Sequence, residues 1–335
     1  MIGTEVVKSH RVEIHAAFNS RFSDFDLMAA SAVDWDQRYE HIGRGRFEGR
    51  LAQVVLSSLQ LGRESWNPGI MQRGSAPPNN WVIGLPIMAE GSLHLRGRVL
   101  AAGQPLLVGP CDDISFIANG RTDLALAVIP LAQIERWMDI RRGVSGLSRK
   151  YLDRPWKIAE RELAHRGKTL ARLLRTLLES CEGQASQKVL AAVEDQVVDI
   201  VLGMVPSIEV AEPLHRRARI ALKLRDMLMG SVDAPLSVSA MCEVLEVKER
   251  TLFLACVEAF GRPPKAMLLE LRLNAVRRAL AHPSPRQTVT AAAASFGFWH
   301  FGDFSAEYKR QFGELPSATL AKAAGTAGSP LSQPH

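Results

Sequence analysis

The sequence predicts an α+β chain: a small N-terminal β-barrel or sandwich acting as a sensor domain, a helical linker, and a C-terminal all-α unit with two helix-turn-helix motifs. Three observations carry that expectation. Between about residues 45 and 130, short apolar runs punctuated by Gly and Pro recur at roughly ten-residue spacing. After Pro130 the apolar period changes from that of a strand to that of a helix. In the last third, two segments each read as a short helix, a tight turn and a second helix.

Taken in order, the first 45 residues have little period beyond a short helix expected over 24–32. Strand-like runs follow at 52–61, 81–87, 92–100, 105–108 and 124–129. Turn sequences separate them: Asn67-Pro68-Gly69, the Gly74–Asn80 stretch, Gly103 before Pro105, and Gly109-Pro110. Residues 131–142 predict one helix, 156–181 contain a longer one with apolar residues at i, i+3 and i+4, and 186–204 add another ending at Gly203 and Pro206. These helices suit a dimer interface or a place against their own barrel, and the pattern leaves both open. A basic amphipathic helix is expected over 214–230, and the small, polar residues 323–335 predict a disordered tail. The resulting division is 1–130 for a regulatory β-rich domain, 131–212 for a linker or dimerisation region, 213–322 for the double-motif unit, and 323–335 for the tail.

Composition narrows the class. Hydrophobic residues make up 47% of the chain and charged residues 23%, an ordinary globular balance. The apolar stretch 124–134 is interrupted by Pro130 and is too short to span a bilayer. The N-terminus has no continuous apolar segment of the kind a secretory signal requires. Cys111, Cys181, Cys242 and Cys256 form no CxxC pair, which suits reduced thiols in a cytoplasm. The nine histidines are dispersed, without HxH, HExxH or HxxxH spacing, so no metal or other cofactor is expected. Cys111 has no evident base partner, Gly43-Arg44-Gly45 reads as a basic turn, and His94 reads as a single satisfied or surface histidine. An enzyme is not expected. Trp35, Trp66 and Trp81 are candidates for the wall of a ligand pocket in the barrel, or for its core.

The net charge of +6 is local. Between Pro213 and Lys322 there are sixteen Lys and Arg against ten Asp and Glu, while the remainder holds twenty-five of each sign. A positive field confined to one region favours encounter with a polyanion such as double-stranded DNA.

The first helix-turn-helix pattern runs over 237–245, turns at Glu246-Val247-Lys248, and continues over 249–260 to Gly261. A helix over 265–281 follows, with Met267, Leu268, Leu271, Leu273, Val276 and Leu280 facing inward and Arg272, Arg277 and Arg278 elsewhere. The second pattern covers 288–296, turns at Gly297-Phe298-Trp299, and continues over 300–312 to Gly313. Phe298, Phe304, Tyr308 and Phe312 form its buried stripe, leaving His300, Phe301, Gly302, Asp303, Ala306, Lys309 and Arg310 to meet a groove. Arg250, Arg262, Arg272 and Arg310 are candidates for phosphate contact.

The stretch RTLFLACVEAFGRPPKAMLLELRLNAVRRAL followed by TVTAAAASFGFWHFGDFSAEYKRQFGELPSATL resembles the AraC/XylS family of transcriptional regulators, over residues 235–320. RLNAVRR and GFWH look most like the subgroup that contains the EutR ethanolamine-operon activator. The resemblance implies a seven-helix DNA-binding unit, an effector or dimerisation domain before it, and an activator with RNA polymerase, a small-molecule effector and a second copy of the chain as partners. It carries base contacts onto Arg250, Phe253 and Leu254 in the first reading helix, and onto His300, Phe301, Gly302, Asp303 and Ala306 in the second. Two departures stand out. Phe253 and Leu254 occupy places that are commonly polar, and Glu246 stands where the first turn often has glycine. The alternatives are a small-molecule enzyme, or a ligand-independent interaction protein, tethered to DNA by the C-terminal unit.

Overall fold

The computed structural model describes residues 12–110, 112–142, 156–181, 186–204 and 237–326, with Ile220, Lys223, Leu224 and Met227. The helix expected over 214–230 lies largely outside the described residues, as do Cys111 and residues 327–335.

Eleven strands alternate through the N-terminal half: β1 (Ile14–Phe22), β2 (Asp36–Ile42), β3 (Glu48–Leu56), β4 (Gln60–Asn67), β5 (Gly69–Ser75), β6 (Asn80–Ala89), β7 (Leu93–Leu95), β8 (Arg98–Val99), β9 (Leu106–Val108), β10 (Asp113–Ala118) and β11 (Thr122–Pro130). They form two antiparallel sheets, in the orders β1-β3-β4-β11-β6-β9 and β2-β5-β10-β7-β8. The domain is a sandwich and not a closed barrel. Helix α1 (Phe25–Ala30) sits between β1 and β2, and the Asp24 carboxylate caps it by accepting from the Asp26 and Leu27 amides. The run expected as one strand over 52–61 is a hairpin. Ser57 and Ser58 make the turn, the Leu56 amide donates to the Leu59 carbonyl at 2.8 Å, and both arms are apolar, which hid the reversal from the pattern. The 92–100 run is likewise split between β7 and β8 by Arg96 and Gly97, both at positive φ.

Period-two alternation sorts each strand between two cores. Leu51, Trp66, Phe116, Leu126 and Val128 fill the space between the sheets, with Tyr39. Ala52, Val54, Leu61, Ile83, Leu85 and Ala127 point the other way, from the six-stranded sheet into a helical layer. That layer is α2 (Leu131–Arg142), α3 (Glu160–Cys181) and α4 (Gln187–Leu202). Leu163, Leu170, Leu174 and Leu177 of α3 and Val193, Val197 and Val201 of α4 complete its core. Fully burying each such side chain contributes roughly 1.5–3 kcal/mol. Gln187 anchors the start of α4 by exchanging hydrogen bonds with the Val12 backbone at 3.1 and 2.8 Å. Of the two places the sequence left open, these helices occupy the one against their own sheet. Trp66 and Trp81 are core residues, 2% and 3% exposed, and Trp35 is half-buried.

The C-terminal unit comprises α5 (Val238–Val244), α6 (Glu249–Phe260), α7 (Pro264–Ala281), α8 (Val289–Ser295), α9 (Phe301–Phe312) and α10 (Pro316–Thr326). Helix α10 continues past Ala323, where the tail was expected to begin. Met267, Leu271, Leu273, Val276 and Leu280 of α7 are buried as the pattern predicted, and Leu268 is half-buried.

The unit is seated on the sandwich. The His41 carbonyl at the end of β2 accepts from Asn274 Nδ2 and Gln311 Nε2, each at 3.1 Å. Arg278 donates to Asp26 at 2.9 Å, to both oxygens of the buried Glu40 at 3.0 and 3.1 Å, and to the Tyr39 carbonyl at 2.7 Å. Arg277 lies 4.7 Å above the Phe25 ring and donates to Asp24 at 2.8 Å. Burial works against the Asp24 carboxylate, but Arg277 and the first amides of α1 hold its pKa below the usual range. The His41 ring lies between Phe25 and Phe312; burial, then the charges of Arg277 and Arg262, push its pKa down to about 3, so it is held neutral.

Candidate DNA-binding surface

The two motifs are built alike from caps inward. Ser237 Oγ accepts from the Ala240 amide and Thr288 Oγ1 from the Ala291 amide, each at 3.1 Å, starting α5 and α8. In each turn, the amide three residues beyond the helix reaches five residues back: Val247 to the Cys242 carbonyl, and Phe298 to the Ala293 carbonyl, both at 3.0 Å. That closure needs a left-handed residue, Glu246 at φ 52° in the first motif and Gly297 at φ 81° in the second. Both reading helices end on a left-handed glycine, Gly261 and Gly313, and the next helix opens on Pro264 or Pro316.

Glutamate lacks glycine's freedom in this region, and the conformation costs a side-chain-bearing residue roughly 1–2 kcal/mol. We therefore expect Glu246→Gly to stabilise the chain by about 0.5–1 kcal/mol, once the greater entropy of the unfolded glycine is set against the relieved strain. It also removes a negative charge from the turn, so non-specific duplex affinity is expected to rise. Urea unfolding and a binding titration at fixed salt check both; a less stable variant would refute the strain argument.

The buried face of α9 is the expected stripe. Phe304, Tyr308 and Phe312 stack edge to face at 5.7 and 4.6 Å, Phe298 lies 5.0 Å from Phe304, and the Tyr308 hydroxyl meets Thr319 Oγ1 at 2.8 Å. Locking this stripe turns His300, Phe301, Gly302, Asp303, Ala306, Lys309 and Arg310 to the outside, all exposed, with Trp299 just before them 72% exposed. The two alanines at the centre of α8, Ala292 and Ala293, are fully buried and let the crossing helix approach. Arg310 forms an i,i+3 pair with Glu307, and its carbonyl accepts from the Gly45 amide at 3.2 Å.

Helix α6 buries Leu252, Ala255, Cys256, Ala259 and Phe260. Burial raises the Cys256 thiol pKa to about 12, which leaves it an inert core residue. Arg250 is exposed, Phe253 is 49% exposed and Leu254 half-buried. The face around them is apolar and acidic: Val244 and Val257 are exposed at 69% and 40%, beside Glu243, Glu246, Glu249 and Glu258, with Lys248 and Arg250 the cations there. The two outward faces therefore differ in chemistry although their backbones match.

Several basic residues counted in the sequence do not reach this surface. Arg262 pairs with Glu270 and donates to Asn119 Oδ1 at 3.0 Å, so its guanidinium is held by the sandwich and does not serve as a free phosphate contact. Arg277 and Arg278 are taken up by Asp24, Asp26 and Glu40. The +6 of the chain thus overstates the field at the reading helices. The Gly43-Arg44-Gly45 turn, read as a basic turn, is an anchor: the Gly43 amide donates to Glu270 at 3.2 Å. His94 is buried, with its Nε2 at 2.8 Å from Ser92 Oγ and its Nδ1 without a hydrogen-bond partner, so it is neither a surface histidine nor a fully satisfied one. What sequence reasoning missed is this seam between the halves; the signal available was Asn274 and Gln311 at otherwise apolar positions.

Comparison with known proteins agrees with this geometry. A helix-turn-helix domain family matches residues 241–322. The XylDLEGF operon transcriptional activator of Pseudomonas putida is 23% identical over 291 residues, 82% of this chain and 85% of the relative. The Probable thc operon regulatory protein of Rhodococcus erythropolis is 32% identical over 96 residues, 28% of this chain and 29% of the relative. Among solved structures, a probable AraC-family transcriptional regulator from Rhodopseudomonas palustris covers 31% of this chain and 97% of its own, at 28% identity and a TM-score of 0.30. The matched domain and the alignment with the operon activator carry the family and not the finer EutR-like subgroup. With two capped motifs joined by α7, the matched domain, and the alignment along most of its length, the chain is a DNA-binding regulator of the AraC/XylS family.

Proposed function

We propose that this regulator activates transcription from sites read mainly by its second motif, under control of a small molecule sensed by the N-terminal sandwich. The observation that carries the reading is the exposed row His300, Phe301, Gly302, Asp303 and Ala306, held outward by the buried aromatic stripe of α9. Asp303 can accept from a cytosine N4 amino group, and His300 can donate to a purine N7, so the pair discriminates base edges in a major groove. Lys309 and Arg310, at the far end of the helix, supply phosphate contacts and register. Arg250 does the same for the first motif, while Phe253 and Leu254 offer thymine methyl groups an apolar partner. The relative named above as an operon activator supports activation; RNA polymerase as partner and a second copy of the chain on adjacent sites belong to the same proposal. No described helix is long and apolar enough to cross a membrane, in keeping with work in the cytoplasm.

The experiment is selection of fragmented genomic DNA by the full chain and by a His300→Ala, Asp303→Ala variant at one stated salt concentration. The full chain is expected to enrich a shared motif. The variant is expected to lose about 1–3 kcal/mol of discrimination per base pair contacted while keeping most non-specific affinity. Unchanged enrichment by the variant would remove α9 as the reader.

A further inference from the structure

The turn of the second motif carries a side chain that the fold does not use. Trp299 is 72% exposed, whereas Trp66, Trp81, Trp137 and Trp156 are buried and Trp35 is half-buried. An indole left in water forgoes one of the largest burial gains a side chain can make. The backbone accounts for its position, because the two turns differ by one residue. Between the caps at Leu245 and Lys248 lie Glu246 and Val247; between the corresponding caps, Phe296 and His300, lie Gly297, Phe298 and Trp299. In both turns the left-handed residue comes first and the residue whose amide reaches back comes second. The third place falls to Lys248 in one motif and to Trp299 in the other. Phe298 stays inside, its ring 5.0 Å from Phe304, and the added residue faces outward at the start of α9.

What surrounds Trp299 is the surface proposed above to face duplex DNA. His300, Phe301, Gly302 and Asp303 follow it directly, all exposed. When the first residues of a reading helix enter a major groove, the residue just before them lies at the groove's edge, against the sugar–phosphate strand. Deoxyribose presents a carbon-rich surface there, and the phosphate beside it an acceptor. An indole answers both, with a flat apolar face and a single N–H donor. A lysine in the same place, as in the first motif, meets the same phosphate by charge. An exposed aromatic ring also suits a protein partner, but the exposed polar and basic row that shares the helix, from His300 to Lys309 and Arg310, favours the duplex.

We propose that Trp299 is a DNA-contact residue of the second motif: its ring lies against a deoxyribose and its Nε1–H donates to the adjoining phosphate. The contact sets how deeply α9 enters the groove, and so where His300 and Asp303 stand against the base edges. This inference rests on the reading of α9 above and adds to it an anchor of a different kind from Lys309 and Arg310. A contact to the backbone is made on any sequence. A neutral contact replaces no counterion, so its loss weakens binding without changing the salt dependence.

Titration of the full chain with a short mixed-sequence duplex, over a series of salt concentrations, tests the contact. Trp299→Ala is expected to weaken binding about tenfold at every salt concentration, the size of one hydrogen bond to a charged group. The slope of log affinity against log salt is expected to stay at the parent value, whereas Lys309→Ala reduces it by about one. Trp299→Phe, which keeps a ring and loses the N–H, is expected to fall between parent and alanine variant. Melting temperatures of the Trp299 variants without DNA are expected to match the parent, since the side chain faces water. Tryptophan emission gives a second readout in the parent: Trp299 is the fluorophore open to acrylamide, and saturating duplex is expected to shield it. Parent affinity in Trp299→Ala, or a salt slope that falls with the affinity, would overturn the proposal. If the parent binds the duplex while its indole stays open to acrylamide, the reading by α9 stands and the tryptophan is left to a protein partner. A parent that does not bind the duplex would take down both.

Discussion

Arg278→Met will cost the protein about 3 kcal/mol and loosen the seat of α7 on the sandwich. The guanidinium bridges Asp26, the Tyr39 carbonyl and Glu40, whose side chain is 1% exposed. Removing one partner of a buried pair leaves the other charge uncompensated, which costs roughly 3–5 kcal/mol; Arg38, 2.9 Å from Glu40, holds the loss to the low end. The cost therefore belongs to the stranded carboxylate more than to the lost bond. Adding Glu40→Gln to Arg278→Met is expected to recover a large part of it, because the amide needs no counter-charge. Urea unfolding of the full chain measures both variants. A single substitution costing under about 0.5 kcal/mol, or a double variant no better than the single, would mean that the seam does not hold the domains together.

Glu64→Gln is the second large effect, and its sign depends on pH. Glu64 lies wholly within the sandwich, where Tyr39 donates to it at 2.8 Å, and burial raises its pKa from 4.5 to about 7 despite that hydrogen bond. Between those values the folded chain keeps a proton that the unfolded chain has released. Stability from this group is therefore present below about pH 4.5 and is lost as pH rises through 7, by about 3 kcal/mol in all. A neutral glutamine escapes that loss, so the variant is expected to be more stable than the parent by about 2 kcal/mol at pH 8, with no gain at pH 4.5. His41 acts with the opposite sign: its folded pKa of about 3 lies below the ordinary 6.5, so its contribution is lost as pH falls below 6.5. Between pH 4.5 and 6.5 the two slopes oppose each other in the parent. Glu64→Gln leaves the histidine unopposed, and melting temperatures at pH 5, 6 and 8 should show a steeper fall on the acid side. Parallel profiles for parent and variant would show that Glu64 is ionised in the folded chain.

The parts legible in the sequence were those whose signals are local. Helices α5 to α9 were found within a residue or two because each carries a local signal at one end: hydroxyl caps at Ser237 and Thr288 open α5 and α8, Pro264 opens α7, and Gly261 and Gly313 end α6 and α9. The likeness of the two motifs was harder to see at the residue level, since Glu246 stands where its counterpart is Gly297 and only the shared left-handed backbone reveals the match. The strands were found where apolar runs were long and missed where polar residues are buried. In β2, Glu40 and His41 are fully buried against groups from more than two hundred positions away: Arg278 pairs with the Glu40 carboxylate, and Asn274 donates to the His41 backbone carbonyl. The hairpin of β3 and β4 was lost for the opposite reason, its turn lying between two apolar arms. The outward face of α9 followed from helical period; the docking of that helix on the sandwich did not, because complementarity between Gln311 and the His41 carbonyl leaves no periodic trace.

The hydrogen bond from the Gly45 amide to the Arg310 carbonyl makes α9, the proposed reading helix, a lever with its pivot on the sandwich. Twelve residues separate the ends of α9, a span of about 18 Å. A tilt of about 5° imposed at the Gly45 end would carry His300 through roughly 1.5 Å, enough to take a base-edge hydrogen bond out of range. Affinity for phosphate, which tolerates such a shift, would survive it. A sensor domain coupled in this way tunes which sequence is recognised before it tunes how tightly DNA is held.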